Sequence, residues 1–276
     1  MEKSRLCSLE ISTHRPVDFK LLKSIPSSFC SVIWLGTYDK PPHQKDPLVL
    51  SKKLIENGYT VVLHFAGRNN TKESCIAVLD YAKEIGIRNL MVVRGATPEC
   101  NIPDKNYDFP HTPNLINFIK EKYGDYFDMC VAGFPYKHPE SKDLADDMKY
   151  LKEKNDAGAK FIITQAAFSY QVYKDFLRNC REHGITMQII PGLYVIRSVV
   201  DFCFLQRLCK VPQDDPIVQR LKKLEGDDKE IATLGIEVSM EVVKHLMADL
   251  EFCPPHLYTM DELGSIKQFL KDVEKK

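Results

Sequence analysis

The chain alternates between short runs of apolar residues and longer segments with the periodicity of amphipathic helices. Eight of the short runs are mostly apolar on both faces, which is typical of buried parallel strands. They cover residues 7–11, 29–35, 59–66, 88–95, 128–135, 159–165, 186–194 and 256–260. Between two of these runs, the segment 70–86 repeats apolar residues at helical spacing and ends at Gly86, where a helix commonly stops.

Eight strands that alternate with helices predict a closed parallel barrel. Right-handed crossovers repeated eight times close a sheet into a (β/α)8 TIM barrel of the α/β class. Residues 211–250 have helical patterning and predict extra helices before the last strand. An open doubly wound sheet is the alternative, but no G-x-G-x-x-G motif follows any strand. We therefore expect residues 1–276 to form a single barrel domain.

The composition excludes several classes of protein but does not indicate a reaction. At 276 residues and 44% hydrophobic, the chain can bury a large core. Its 38 basic and 38 acidic residues cancel, so we expect neither nucleic acid nor a membrane as a partner. Nine cysteines without a C-x-x-C pair favour reduced thiols, and the N-terminus has no signal-peptide pattern. These features predict a cytoplasmic protein, and they leave open whether it forms a homo-oligomer.

Four of the predicted strands have a polar residue at or near their carboxyl end. These residues are Glu10, His64, Arg94 and Gln165. In a parallel barrel the carboxyl ends of all strands meet at one rim, where active sites of this fold are built. The pattern therefore predicts an enzyme with an active site at that rim.

Glu10 and His64 each allow more than one interpretation. An apolar neighbourhood would raise the pKa of Glu10 and suit it to donate a proton, whereas an ion pair with a basic residue of the rim is the alternative. His64 could face a ligand, lie satisfied in the core or bind a metal. The chain has no H-x-H and no H-E-x-x-H motif, so we expect no metal site.

The fourth and fifth strands supply further candidates. Arg94 and Gly95 combine a cationic fork with a residue that permits close backbone approach, which suits a phosphate or a planar heterocycle. The loop after 128–135 contains two prolines and presents Phe134 and His138. A rigid loop with an aromatic ring and an imidazole favours ligand binding, although the same residues could only shape a turn.

Three polar residues on the next elements complete the candidate set. Asp147 and Lys154 are seven residues apart on a predicted helix, so they share a face that could meet a ligand or simply solvent. Gln165 closes the apolar run FIIT, and a polar side chain in that place is expected to have a specific partner. We expect that partner to be an amide or a heterocycle of a ligand.

Several motifs together resemble the catalytic domain of methylenetetrahydrofolate reductase. They are SLE at 8–10, LH at 63–64, VVRG at 92–95, YFDMCVAGFPYKHPES at 126–141, LKEKNDAGAKFIITQ at 151–165, IIPGLY at 189–194 and HLYTM at 256–260. The similarity runs in order over about nine tenths of the chain. Nothing in the chain resembles the regulatory domain of the eukaryotic members, so we expect a catalytic domain alone.

The resemblance implies a barrel that binds FAD, takes a hydride from NADPH or NADH and reduces 5,10-methylenetetrahydrofolate to the 5-methyl form. It implies that Glu10 is the general acid and that Gln165 recognises the pterin of the folate substrate. Leu205 stands where bacterial members have a substrate-stacking phenylalanine. The residues matched to cofactor-binding positions are His64, Arg94, Gly95, Phe134, His138, Asp147 and Lys154.

The chain also departs from the family pattern at the rim. Ala96 stands where the family has an aspartate, and loss of one such electrostatic contact commonly costs ~2.7–4 kcal/mol of transition-state stabilisation. Glu99 or Asp104 could supply another carboxylate. The other departures are Ile11-Ser12-Thr13-His14 for Phe-Phe-Pro-Pro after Glu10, Ile33 for threonine, Phe134 for tyrosine, and Asp261-Glu262 for Asn-Arg. Two alternatives follow: a flavin- or folate-binding barrel with weak or lost activity, and a flavin-free relative with another substrate.

Overall fold

A computed structural model describes residues 6–34, 40–68, 70–95, 108–224 and 226–275 of the chain. Ala96, Glu99 and Asp104 lie outside these ranges. Within them, every predicted apolar run contains a strand. The strands are β1 (Ser8–Ile11), β2 (Cys30–Val32), β3 (Val61–Ala66), β4 (Asn89–Val93), β5 (Asp128–Gly133), β6 (Phe161–Thr164), β7 (Gln188–Ile190), β8 (Gly192–Leu193) and β9 (His256–Tyr258).

Helices follow the strands in alternation. They are α1 (Phe19–Lys23), α2 (Asp46–Glu56), α3 (Lys72–Glu84), α4 (Thr112–Tyr123), α5 (Leu144–Ala157), α6 (Tyr170–Glu182), α7 (Val199–Cys209), α8 (Pro216–Lys222), α9 (Asp228–Ala248) and α10 (Leu263–Lys275). Side-chain caps fix where several of them begin. Asp143 accepts a hydrogen bond from the Asp146 amide at the start of α5, and Ser198 accepts one from the Asp201 amide at the start of α7.

The strands form one parallel sheet in the order β7-β6-β5-β4-β3-β2-β1-β9-β8. β7 and β8 are two halves of one strand, which Pro191 interrupts because proline has no amide hydrogen to donate. β7 pairs with β6, while β8 pairs with β9, so the seventh strand joins the two edges of the sheet. The predicted (β/α)8 barrel is confirmed, and this closure excludes the open doubly wound sheet.

The closing seam is tight. The His256 amide donates to the Pro191 carbonyl oxygen at 2.8 Å, and the Gly192 amide donates to Thr164 Oγ1 at 2.9 Å. A Cβ atom on residue 192 would lie 2.0 Å from the Thr164 carbonyl oxygen, so only glycine fits there.

Two apolar layers surround the strands. One lies inside the barrel and consists of Val62, Met91, Cys130, Ile163 and Ile190. The other lies between the strands and the helices and includes the outward-facing residues of each strand. Since successive side chains of a strand point to opposite faces, the inner layer fixes which residues of each strand face the barrel axis.

The segment before the last strand contains the predicted extra helices. α8 and α9 lie within 211–250, and α7 precedes them. In the described ranges, no helix combines the length and the apolar character that crossing a bilayer requires.

Candidate active site

The carboxyl ends of β1, β3, β6 and β9 surround a cavity of about 590 Å³ that α7 covers from one side. We call it the Glu10 cavity, and its lining includes Glu10, His64, Gln165, Leu205, Tyr258 and Asp261. Both residues that the resemblance matched to the substrate, Gln165 and Leu205, therefore lie in one cavity with Glu10. The cavity is open to solvent at the rim, where Phe204 and Leu208 of α7 are exposed.

Strand register brings the polar residues of this cavity together. Glu10 pairs with Ser31 of β2 on one side and with Tyr258 of β9 on the other. Its neighbour Leu9 is fully buried in the outer layer, so alternation along β1 turns Glu10 toward the barrel axis. His64 follows Leu63 in β3 in the same way.

Glu10 and His64 form a buried, mutually close pair. Glu10 is 8% exposed, and its Oε2 lies 4.0 Å from Nε2 of His64. Burial raises the pKa of Glu10 to about 8, with a further contribution from the charge of Asp261. Burial also lowers the pKa of His64 to about 4. At neutral pH the carboxyl group therefore carries a proton and the imidazole does not.

One buried atom of this pair has no partner. His64 Nε2 is buried without a hydrogen-bond partner among the described residues. No arginine or lysine in the described part of the chain forms an ion pair with Glu10, so that interpretation of Glu10 is not realised there. A buried imidazole nitrogen beside a carboxyl group is the arrangement expected where a ligand supplies the missing contact.

A second polar layer lies directly beneath the pair. His256 is 1% exposed, and its ring nitrogens contact the hydroxyl oxygens of Ser8 at 2.7 Å and Ser31 at 3.1 Å. Burial, and then the nearby His64, lower the pKa of His256 to about 3. His256 is thus a satisfied neutral histidine of the barrel interior, the role that the sequence left open for His64.

A separate cavity of about 380 Å³ lies at the ends of β4 and β5 and beside α5. We call it the Lys154 cavity, and its lining includes Arg94, His138, Glu140, Asp147 and Lys154. Four of the seven residues matched to the cofactor therefore lie together here. His64 lies in the Glu10 cavity instead, so the predicted set is divided between two neighbouring cavities.

Burial and nearby opposite charges act against each other in the Lys154 cavity. Asp147 is buried, and it accepts hydrogen bonds from the His138 amide and the Ser141 hydroxyl, both at 3.2 Å. Burial raises the pKa of Asp147, while these bonds and the charge of Lys154 oppose the increase. Burial lowers the pKa of Lys154, and the charge of Asp147 opposes that decrease.

Arg94 is held at the edge of this cavity by Glu140. Arg94 Nη2 lies 2.5 Å from Glu140 Oε2, and this hydrogen bond lowers the pKa of the Glu140 carboxyl. Gly95 has φ +101°, and a Cβ atom there would lie 3.1 Å from Cβ of Arg68. The backbone alone therefore requires glycine at position 95.

Phe134 does not line either cavity. Its ring packs edge-on against the His138 imidazole, with centroids 4.5 Å apart. It supports His138 from behind, and any contact that it makes with a cofactor remains a prediction.

Sequence reasoning assigned no site role to several residues that line the Glu10 cavity. These are Ser12, Tyr194, Phe204, Tyr258 and Asp261. For Asp261 a signal was present, since the chain has an acidic residue there where the family pattern has asparagine. For Tyr258 and Tyr194 the signal was weak, because a tyrosine in an apolar run is usually part of the core.

The chain resembles known proteins over most of its length. A model of the family described as methylenetetrahydrofolate reductase matches residues 17–274. A Caenorhabditis elegans protein named "Probable methylenetetrahydrofolate reductase (NADPH)" is 33% identical over 216 residues, which are 78% of this chain and 32% of that protein. The 5,10-methylenetetrahydrofolate reductase of Pectobacterium carotovorum subsp. carotovorum is 28% identical over 245 residues, which are 87% of this chain and 78% of that protein.

The eukaryotic relatives are longer proteins, and the chain spans about a third of their length. A solved structure with a similar fold is that of a Clostridium thermocellum protein that binds two copies of 5-methyl-5,6,7,8-tetrahydrofolic acid. It has a TM-score of 0.62 and 12% identity, and the match covers 99% of this chain and 96% of that one. At this identity the likeness supports the barrel fold.

Proposed function

Because the chain belongs to the methylenetetrahydrofolate reductase family, we propose that it reduces 5,10-methylenetetrahydrofolate to 5-methyltetrahydrofolate. The reductant is NADPH or NADH, and FAD is the bound cofactor. The observation that carries this proposal is the buried Glu10 carboxyl in the same cavity as Gln165 and Leu205. We also propose a cytoplasmic location and a role in methyl supply for methionine synthesis.

The residues of the two cavities fit a flavin nucleotide. Arg94 and Lys154 offer cationic donors for phosphate oxygens, and Asp147 offers carboxylate oxygens for hydroxyl groups. The unpartnered Nε2 of His64 lies between Glu10 and the β4 side of the rim and is suited to a polar edge of the flavin ring. When bound, FAD accepts a hydride from the nicotinamide and delivers it to the folate.

Glu10 is the proposed general acid. The folate substrate must open its five-membered ring before it accepts a hydride, and the departing ring nitrogen needs a proton. A carboxyl group with a pKa of about 8 holds that proton at neutral pH and releases it to a nearby amine. Removal of a general acid typically costs about 10²- to 10⁴-fold in rate.

Gln165 and Leu205 are the proposed substrate contacts. The backbone N–H of Gln165 donates to the Gly133 carbonyl oxygen at 2.7 Å, which fixes the backbone. The side-chain carboxamide is free to contact a ligand in the cavity. A carboxamide offers one acceptor and two donors, which suits the edge of a pterin. Leu205 is 2% exposed and supplies an apolar wall on the α7 side.

The test is a flavin redox titration of the purified protein. We expect a yellow protein whose flavin absorption bleaches with NADPH or NADH in the absence of air and returns when methylenetetrahydrofolate is added. Bleaching without return would indicate a binding barrel that has lost the folate step. A colourless protein that cannot be loaded with FAD would contradict the proposal and favour the flavin-free alternative.

A companion variant tests the departure at position 96. We expect Ala96→Asp to raise the rate of the folate step, because it restores a negative charge near a developing cation. An unchanged rate would mean that another group compensates for the alanine.

A further inference from the structure

The segment after β9 has an unusual backbone that points a second carboxylate into the Glu10 cavity. Met260 and Asp261 have φ values of +48° and +60°, in the left-handed region that residues with a Cβ atom rarely adopt. Two successive residues of this kind persist only where surrounding contacts hold them. Both of them line the Glu10 cavity.

Hydrogen bonds tie Asp261 to the strand that carries Glu10. Asp261 Oδ1 accepts from the Ser12 amide at 2.9 Å, and Oδ2 accepts from the Ser12 hydroxyl. The Asp261 amide donates to Thr259 Oγ1 at 3.1 Å, and Thr259 Oγ1 itself donates to the Glu10 carbonyl oxygen at 2.5 Å. The Asp261 carboxylate is therefore fixed relative to Glu10 by contacts on both sides.

An exposed salt bridge also joins the segments that follow β1 and β9. Arg15 Nη1 lies 2.5 Å from Glu262 Oε1, and both side chains are exposed. The positive charge of Arg15 is thus engaged by the residue next to Asp261 and is open to solvent, where ion pairs are screened. It is poorly placed to neutralise a charge on Glu10.

Among the described residues, no lysine or arginine forms an ion pair with Glu10. The other titratable groups lining the cavity are His14 and Arg15 after β1, His64 on β3, Tyr194 after β8, Cys209 on α7, and Tyr258 and Asp261 at β9. His64 is the nearest base, and its burial keeps it uncharged near neutrality. Asp261 is therefore the fixed charge that acts on Glu10, and its sign opposes ionisation of that carboxyl.

We propose that Asp261, clamped by Ser12, is a positioning residue whose fixed negative charge adds to the effect of burial and opposes ionisation of Glu10. This inference rests on the proposed function, in which Glu10 is the acid. The contacts between the segments after β1 and β9 would then help to set the pH range in which Glu10 is protonated.

The test replaces Asp261 by asparagine and follows the ionisation of Glu10 directly. Asparagine tolerates left-handed backbone and keeps an oxygen that can accept from the Ser12 amide. The pH titration of the Glu10 carboxyl group is followed by NMR with ¹³C-labelled glutamate, and the Glu10 signal is assigned as the one missing from Glu10→Gln. We expect Asp261→Asn to lower the midpoint of this titration by about one pH unit. The alkaline limb of the folate step should move by the same amount. The control Glu121→Gln removes a charge on the exposed face of α4, outside the cavity, and should leave the midpoint unchanged.

A second variant guards against a folding defect. Asp261→Gly suits φ +60° and removes the carboxylate, so it should lower the midpoint in the same direction. An unchanged Glu10 midpoint in both variants would overturn the proposal, whatever the activity. If the midpoint moves but the wild-type protein has no reductase activity, the proposed effect of Asp261 on Glu10 is supported and the proposed function is contradicted.

Discussion

The two cavities at the barrel mouth differ in whether their ionisable side chains have oppositely charged neighbours. In the Glu10 cavity, burial drives the central pair to neutral forms, with the proton on Glu10 and none on His64. In the Lys154 cavity, Arg94 forms an ion pair with Glu140, and the charge of Asp147 opposes the effect of burial on Lys154. β3, which carries His64, and β4, which Arg94 follows, are neighbours in the sheet.

This difference suits the Glu10 cavity to proton transfer and the Lys154 cavity to binding an anionic ligand. A neutral acid beside an unpartnered base can transfer a proton without first breaking an ion pair. The Arg94–Glu140 pair can exchange its carboxylate for an anionic ligand and hold that ligand. Variants that slow only one of the two steps test this separation.

The largest effect is expected from Glu10→Gln. We expect the folate step to slow by about 10²- to 10⁴-fold, because glutamine keeps the shape of the side chain but has no acidic proton to give. Reduction of the flavin by NADPH or NADH should be unchanged in rapid-mixing experiments. Glu121→Gln on the exposed face of α4 is the matched control and should change neither step. Equal losses in both steps would show that Glu10 serves binding instead.

The next effect is expected from Arg94→Gln in the Lys154 cavity. Loss of a charge-assisted hydrogen bond, worth about 1.5–3 kcal/mol, should weaken FAD binding by roughly 10- to 150-fold. Fluorescence titration of apoprotein with FAD measures this. The control is Arg88→Gln, the same change at the opposite end of β4, where Arg88 packs on the Tyr126 ring. A loss of the folate step with unchanged FAD affinity would contradict the division between the cavities.

The fold could be predicted because its signals are local. Each strand is a short apolar run, and each helix has its own periodicity and stop, so all eight runs were found in place. The interruption at Pro191 was not predicted, although the proline is visible in the sequence. It depends on hydrogen bonds to β6 and β9, which are distant along the chain.

The candidate site could be predicted only in part, for a related reason. Glu10, His64 and Gln165 converge because the carboxyl ends of parallel strands share a rim, which topology alone implies. The clamp on Asp261 depends on left-handed backbone and on bonds to Ser12, 249 positions away. The division of the candidates into two cavities likewise follows from side-chain packing that no spacing encodes.

A smaller effect is expected in the pH dependence of stability. The Glu10 pKa is raised from 4.5 to about 8, so the folded state binds a proton that the unfolded chain has lost, and this stabilisation disappears as pH rises toward 8. Between pH 6.5 and 8, the part of the free energy of unfolding that depends on Glu10 should fall by about 1.6 kcal/mol, because the slope is about 1.4 kcal/mol per pH unit and halves at the folded pKa. Urea unfolding at several pH values measures it. The decline should be largely absent in Glu10→Gln.

His64 and His256 give the opposite slope at lower pH. Their folded-state pKa values, about 4 and about 3, lie below the usual 6.5, so stability is lost as pH falls below 6.5. The unfolded histidines are still partly protonated just above pH 6.5, so the contribution of Glu10 is the difference between the wild-type and Glu10→Gln profiles. Identical profiles between pH 6.5 and 8 would contradict a neutral Glu10 cavity.

The smallest effect, and the one of opposite sign, is expected from Glu140→Gln. Glu140 is more than half exposed, so its pairing with Arg94 is worth less than about 1 kcal/mol. Its negative charge nevertheless competes with an anionic ligand for the Arg94 guanidinium. We expect Glu140→Gln to tighten FAD binding by up to about five-fold at low salt, with the gain shrinking as ionic strength screens the pair. Glu121→Gln should leave the affinity unchanged. If Glu140→Gln weakens binding as Arg94→Gln does, then Glu140 orients the guanidinium for the ligand, and the Lys154 cavity binds through a fixed pair instead of exchanging one partner for another.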